Sequence, residues 1–181
     1  MDDVMRVILA PYGDTRVAEA VAAYREDYSK SGLFKSIAYA GVADALSSLR
    51  QADTRLYVAT SKRTTFARRI LEHLGFEKYF SGIYGSEPGG ALDHKSELIG
   101  YILRHASVRA DRCIMVGDRR YDVLGAHANG MPAIGVLWGY GSQHELISAG
   151  ADYLISSPSE LSGRAPVLSP RSSGSTIGGE L

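Results

Sequence analysis

Two carboxylates four residues apart, Asp118 and Asp122, follow the apolar run Cys113-Ile114-Met115-Val116-Gly117. A run of this length, bounded by Arg112 and a Gly-Asp turn, reads as a fully buried strand of a parallel sheet. Ligands gather outside the carboxyl ends of such strands. One aspartate on a strand tip and one at the next helix start could hold Mg²⁺, with water and a substrate phosphate completing the shell. The same spacing also suits a turn and a helix cap. Three further polar residues decide in favour of chemistry. Thr60 and Ser61 end the apolar stretch Leu56-Tyr57-Val58-Ala59, and a strand-end hydroxyl beside the free N–H groups of a helix start can accept a phosphate. Lys95 opens a helix and supplies a mobile positive charge for a phosphoryl group. Alone, Thr60 is an N-cap and Lys95 a solvated surface lysine; their order along the chain, always at strand ends or helix starts, carries the reading.

The elements that must position these residues alternate. Residues 4–10 read as helix. From Thr15 to Ser31 the apolar positions Val17, Ala20, Val21, Tyr24 and Tyr28 recur at helical spacing, with Asp14 or Thr15 as cap. A helix over Gly41–Arg50 precedes the Thr60 strand, and another, with Phe66, Ile70, Leu71 and Leu74 inward, ends at Gly75. A short strand at Ser81–Gly85, a helix from His94-Lys95, the strand before Asp118 and a helix over Tyr121–Asn129 follow. A strand at Pro132–Leu137, a helix near Gln143–Ala149 and a last strand at Tyr153-Leu154-Ile155 complete the folded part. Five strands separated by helices predict an α/β fold with a doubly wound, Rossmann-like parallel sheet. From Ser162 the chain is rich in Ser, Gly, Pro and Arg and predicts a disordered tail.

Composition excludes other classes. The 20 Lys and Arg balance the 20 Asp and Glu, which leaves no field to recruit nucleic acid or an anionic membrane. No apolar run approaches a membrane span and no leader is legible, so a cytoplasmic protein is expected. The single cysteine, Cys113, lies within the apolar strand, where a small hydrophobe is expected rather than a reactive thiol. The five histidines show no metal-ligand pairing, and Trp138 is placed either at a pocket mouth or in packing.

The combination of Val58-Ala59-Thr60-Ser61-Lys62, His94-Lys95-Ser96-Glu97-Leu98 and Val116-Gly117-Asp118-Arg119-Arg120-Tyr121-Asp122 resembles the second, third and fourth motifs of the haloacid dehalogenase superfamily of phosphohydrolases. Ala23-Tyr24-Arg25-Glu26-Asp27-Tyr28 and Gly135-Val136-Leu137-Trp138-Gly139-Tyr140-Gly141-Ser142 are similar to its phosphoglycolate phosphatase and 5′-nucleotidase-like branch. The resemblance implies that Thr60 and Ser61 bind phosphate, that Lys95 holds phosphate and nucleophile together, and that Asp118 and Asp122 support Mg²⁺. It implies hydrolysis of a small phosphorylated metabolite, phosphoglycolate first and nucleoside monophosphates next. It also implies a remnant of a helical cap over residues 1–40, an α/β core over 41–161 and the tail over 162–181.

The family's first motif, a strand ending in Asp-x-Asp-Gly-Thr, is not in this sequence. Its first aspartate is the family's nucleophile, and its strand lies centrally, between those ending at Thr60 and Asp118. The expectation is therefore an N-terminally incomplete chain whose first central strand is missing. Its nearest echo is Val7-Ile8-Leu9-Ala10-Pro11-Tyr12-Gly13-Asp14-Thr15, in which Asp14 is better explained as a helix cap. The alternative is a non-catalytic module that binds Mg²⁺ and phosphate, or a protein partner, without turnover. A phospho-receiver domain fits poorly, because it wants its acidic site ahead of the threonine and lysine.

Overall fold

In a computed structural model the chain is described over residues 2–90 and 92–161; the tail expected over 162–181 lies outside these. Among the described residues, apolar runs too short for helices form five strands, and every strand pairing is parallel. Strand β1 (Tyr57–Arg63) pairs with β2 (Gly82–Ser86), Tyr57 opposite Gly82 and Ala59 opposite Tyr84. Strands β3 (Met115–Gly117), β4 (Ala133–Val136) and β5 (Tyr153–Ile155) lie side by side in that order, with Met115 opposite Ala133 and Ile134 opposite Tyr153. Parallel neighbours need crossovers. These are supplied by helices α4 (Thr64–His73), α6 (Arg120–His127) and α7 (Gln143–Ser148).

The expected doubly wound sheet is present as two pieces. Among the described residues β1 has only β2 as a neighbour and β3 has only β4, so no strand covers the outer edge of β1 or of β3. The expectation that the strand before Asp118 is fully buried is corrected accordingly: Val116 keeps 39% of its surface exposed, since no strand covers that edge. Helix α5 (Lys95–His105) joins the pieces by packing on β1, β2 and α6. Its buried Ile99 belongs to the core formed by Val123, Ala126, Met131, Ala133 and Leu146. Asn129 staples α5 to α6 by donating to the carbonyls of Ser96 and Gly125 at 2.9 and 2.8 Å.

Ahead of the sheet lie α1 (Asp2–Leu9), α2 (Val17–Lys30) and α3 (Val42–Gln51). The N-cap of α2 is Arg16, without a side-chain cap, which corrects the expected Asp14 or Thr15. The reason is local: the Asp14 carboxylate takes the Arg16 N–H and guanidinium instead. A short turn at Gly32–Lys35 buries Leu33 completely and packs on α4, where Phe34 meets His73 edge-on. Trp138 packs against Ile134, Val136 and Ile155.

Candidate active site

The strand order brings two turns to one end of the molecule, one after β1 and one after β3. Between Ala59 and Arg63 the pairing of β1 with β2 slips, so Thr60, Ser61 and Lys62 leave the regular ladder. The Thr60 hydroxyl accepts the Lys62 N–H at 3.2 Å. Ser61 is exposed and its hydroxyl makes no hydrogen bond among the described residues. Helix α4 begins only at Thr64, so Thr60 is not its cap, because β1 runs on to Arg63. It is Thr64 that ties the two strands, donating to Glu87 at 2.7 Å and accepting the Gly85 N–H at 3.0 Å.

Lys95, at the first position of α5, crosses from one sheet piece to the other. Its ammonium donates to the Ala59 carbonyl at 2.8 Å and pairs with Asp122 Oδ1 at 2.9 Å. Both side chains are nearly covered, at 10% and 11% exposure. Asp122 is the buried polar residue among the described ones. A buried carboxylate needs its charge matched and its lone pairs filled, and Asp122 meets both needs, since Oδ2 accepts the Arg119 N–H at 3.1 Å. Gly117 makes room for it: a Cβ there would stand 2.3 Å from the Asp122 Cβ.

Asp118 faces the loop after β4. Its Oδ2 accepts the Tyr140 N–H at 2.7 Å, and a Cβ on Gly139 would stand 2.2 Å from its own Cβ. Oδ1 takes no hydrogen bond from the described residues. The turn from Asp118 to Asp122 is also held from α7, where Glu145 Oε1 accepts from Arg119 Nε and from the Arg120 N–H, both at 2.9 Å. The Arg120 N–H first, and the Arg119 guanidinium second, hold the Glu145 carboxyl below its ordinary range. Arg119 and Arg120 are exposed, and Glu145, which holds their turn, was missed by sequence reasoning. The signal was there: Ser142-x-x-Glu145 is a capping-box spacing, and the Ser142 hydroxyl does accept the Glu145 N–H at 3.1 Å.

The donor set suits Mg²⁺ at Asp118. A hard cation that keeps several waters needs one or two carboxylates, and Asp118 has an oxygen unengaged. Asp122 has both oxygens committed to Lys95 and Arg119, which makes it the holder of the lysine. No cluster of three or more His, Cys, Asp or Glu occurs among the described residues. Asp14 stands apart, its carboxyl lowered to about 2 by the Arg16 side-chain hydrogen bonds. Burial pushes the Cys113 thiol up, the environment of an unreactive core cysteine.

A parallel α/β domain thus gathers a lysine, hydroxyls and an acidic turn at one end of its strands, the arrangement of a doubly wound fold. The chain belongs to the haloacid dehalogenase-like hydrolase family, which residues 1–136 match. It is 41% identical over 145 residues to a 5′-nucleotidase of Pseudomonas aeruginosa, covering 79% of this chain and 66% of that protein. It is 42% identical over 123 residues to the tyrosine-protein kinase PtkA of Mycobacterium tuberculosis, covering 68% of this chain and 42% of that one. A structure of a phosphatase predicted in Clostridium acetobutylicum superposes with a TM-score of 0.80 at 38% identity, over 90% of this chain and 76% of its own. The chain thus spans two thirds or less of the curated relatives named here.

Proposed function

We propose that this chain is the larger part of a Mg²⁺-dependent phosphomonoester hydrolase acting on a small phosphorylated metabolite. The carrying observation is Lys95, fixed between the Thr60 turn and the acidic turn by Ala59 and Asp122. An ammonium has three donors; two are used, and the third is left for a phosphoryl oxygen. Phosphoryl transfer is chiefly positioning and charge stabilisation. Lys95 provides the fixed charge, Thr60 and Ser61 provide hydroxyl donors beside the irregular stretch of β1, and Asp118 provides the oxygen for the metal. Mg²⁺ at that position would neutralise charge on the transferring group.

Hydrolysis by this route also needs a carboxylate nucleophile, and Asp14 is bound up with Arg16. We assign the nucleophile to a strand that seats between β1 and β3, provided by sequence upstream of Met1. The free edges of both sheet pieces and the exposed Val116 support that seat. Residues 1–40 then serve as a cap remnant and 41–161 as the core of a cytoplasmic enzyme. A binding module without turnover is the second reading, favoured by the same want of a nucleophile. The kinase name of one relative leaves the reaction to experiment. Phosphoglycolate and nucleoside monophosphates are the candidate esters, from the resemblance and from the relatives' names.

The test measures phosphate release from phosphoglycolate and from AMP, with Mg²⁺ or with EDTA, by this chain and by the same chain extended upstream. The expected result is turnover by the extended form alone, abolished by EDTA and by Asp118→Ala. Turnover by the short chain would refute the inserted-strand assignment, and silence from both would favour the binding module.

A further inference from the structure

Next to the Thr60 turn lies an aromatic platform that phosphate chemistry does not require. Tyr24 and Tyr28, one turn apart on α2, stack with centroids 5.6 Å apart and planes 14° from parallel. Tyr28 also meets Phe66 of α4 edge-on at 5.9 Å. Its hydroxyl accepts a hydrogen bond from Lys62 Nζ at 2.9 Å. Lys62 is the residue whose N–H caps the Thr60 hydroxyl, so one lysine links the phosphate turn to the aromatic pair. The chain gives Tyr28 room at Gly32, where a Cβ would stand 2.5 Å from the ring. Tyr24 stays 41% exposed, and its second face meets no ring among the described residues.

We propose that Tyr24, backed by Tyr28 and Lys62, is the seat for the base of a nucleoside 5′-monophosphate whose phosphate lies at Thr60, Ser61 and Lys95. This rests on the phosphate site put forward above. Every nucleobase offers a π-face, and stacking on an aromatic side chain tolerates all of them. Lys62 joins the Thr60 turn to Tyr28, on which Tyr24 stacks. Phosphoglycolate carries no ring and would leave the platform bare. The Lys62 ammonium, moreover, is already engaged by the Tyr28 hydroxyl rather than held free for a second carboxylate.

The experiment is calorimetric titration of the full chain, in Mg²⁺, with AMP, CMP, ribose 5-phosphate, phosphoglycolate and inorganic phosphate. AMP and CMP are expected to bind more tightly than ribose 5-phosphate. Tyr24→Ala should weaken both nucleotides by about 5- to 150-fold, the range of base-on-aromatic stacking, and leave inorganic phosphate and ribose 5-phosphate unchanged. Tyr24→Trp, which keeps a π-face, should restore nucleotide binding. Equal affinity for AMP and ribose 5-phosphate, or loss of all ligands together in Tyr24→Ala, would overturn the seat while the phosphate site stands. If inorganic phosphate and every ester fail to bind, the phosphate site falls and the seat with it.

Discussion

Replacing Lys95 with Met, or Asp122 with Asn, should expose how the two sheet pieces are held together. The pair lies at 2.9 Å with both side chains about nine-tenths covered. At an effective dielectric of about 20 the gross attraction is roughly 6 kcal/mol, set against several kcal/mol of desolvation per ion. Removing one partner strands the other. Lys95→Met leaves a buried carboxylate with only the Arg119 N–H, and also deletes the bond to the Ala59 carbonyl. Asp122→Asn leaves an ammonium with only that carbonyl, while its amide oxygen still accepts from Arg119. Each single variant is expected to lose about 3 to 5 kcal/mol, a large share of a domain's ~5 to 15 kcal/mol. The double variant carries no buried charge and should lose less than the sum. Urea denaturation of the four proteins at neutral pH closes the cycle, with an expected coupling of about 1.5 to 3 kcal/mol. Losses that add to within ~0.5 kcal/mol would refute the assignment of Asp122 as the holder of Lys95.

Two other outcomes follow from particular contacts. Val116→Lys, at an apolar edge residue 39% exposed, should reduce concentration-dependent aggregation by charging an unpaired edge, with little change in urea midpoint, as read by light scattering and denaturation in parallel. Asp152 accepts from His127 at 3.0 Å and from the Ala133 N–H at 2.8 Å. Burial raises its carboxyl, but these two bonds outweigh burial and hold it below the ordinary value. Because the folded group is depressed, its contribution is complete above the unfolded carboxyl range near ~3.9 and is lost as pH falls through the lower folded value. Asp152→Asn should therefore flatten the acid limb of stability below about pH 4, measured by thermal melts from pH 2 to 7. An unchanged acid limb would show that both partners are exposed enough to be screened.

Periodicity and punctuation were enough to read the seven helices and five strands described here, because helix and strand periods and glycine stops are local properties of the chain. Lys95, Asp118 and Asp122 were placed by the same pattern, each beside a strand end or helix start that it marks, whereas Thr60 lies inside β1, which runs on to Arg63. The missing central strand was an expectation of the family resemblance, not of residue spacing. What the pattern did not reveal was partnership between residues distant in the chain. That Asp122 neutralises Lys95 depends on α5 and α6 packing closely, with Gly125 admitting the lysine stem, since a Cβ there would stand 2.7 Å from Lys95 Cγ. That Glu145 holds the Arg119-Arg120 turn depends on α7 folding back beside it, although its cap spacing was in view. That β1 slips out of register at Thr60, and that Tyr28 hangs over Lys62, are settled by contacts 34 residues or more apart for the second and by strand pairing for the first. Local propensity chooses elements; only close packing between them decides which charges meet, which glycines must stay glycine, and which edge is left open.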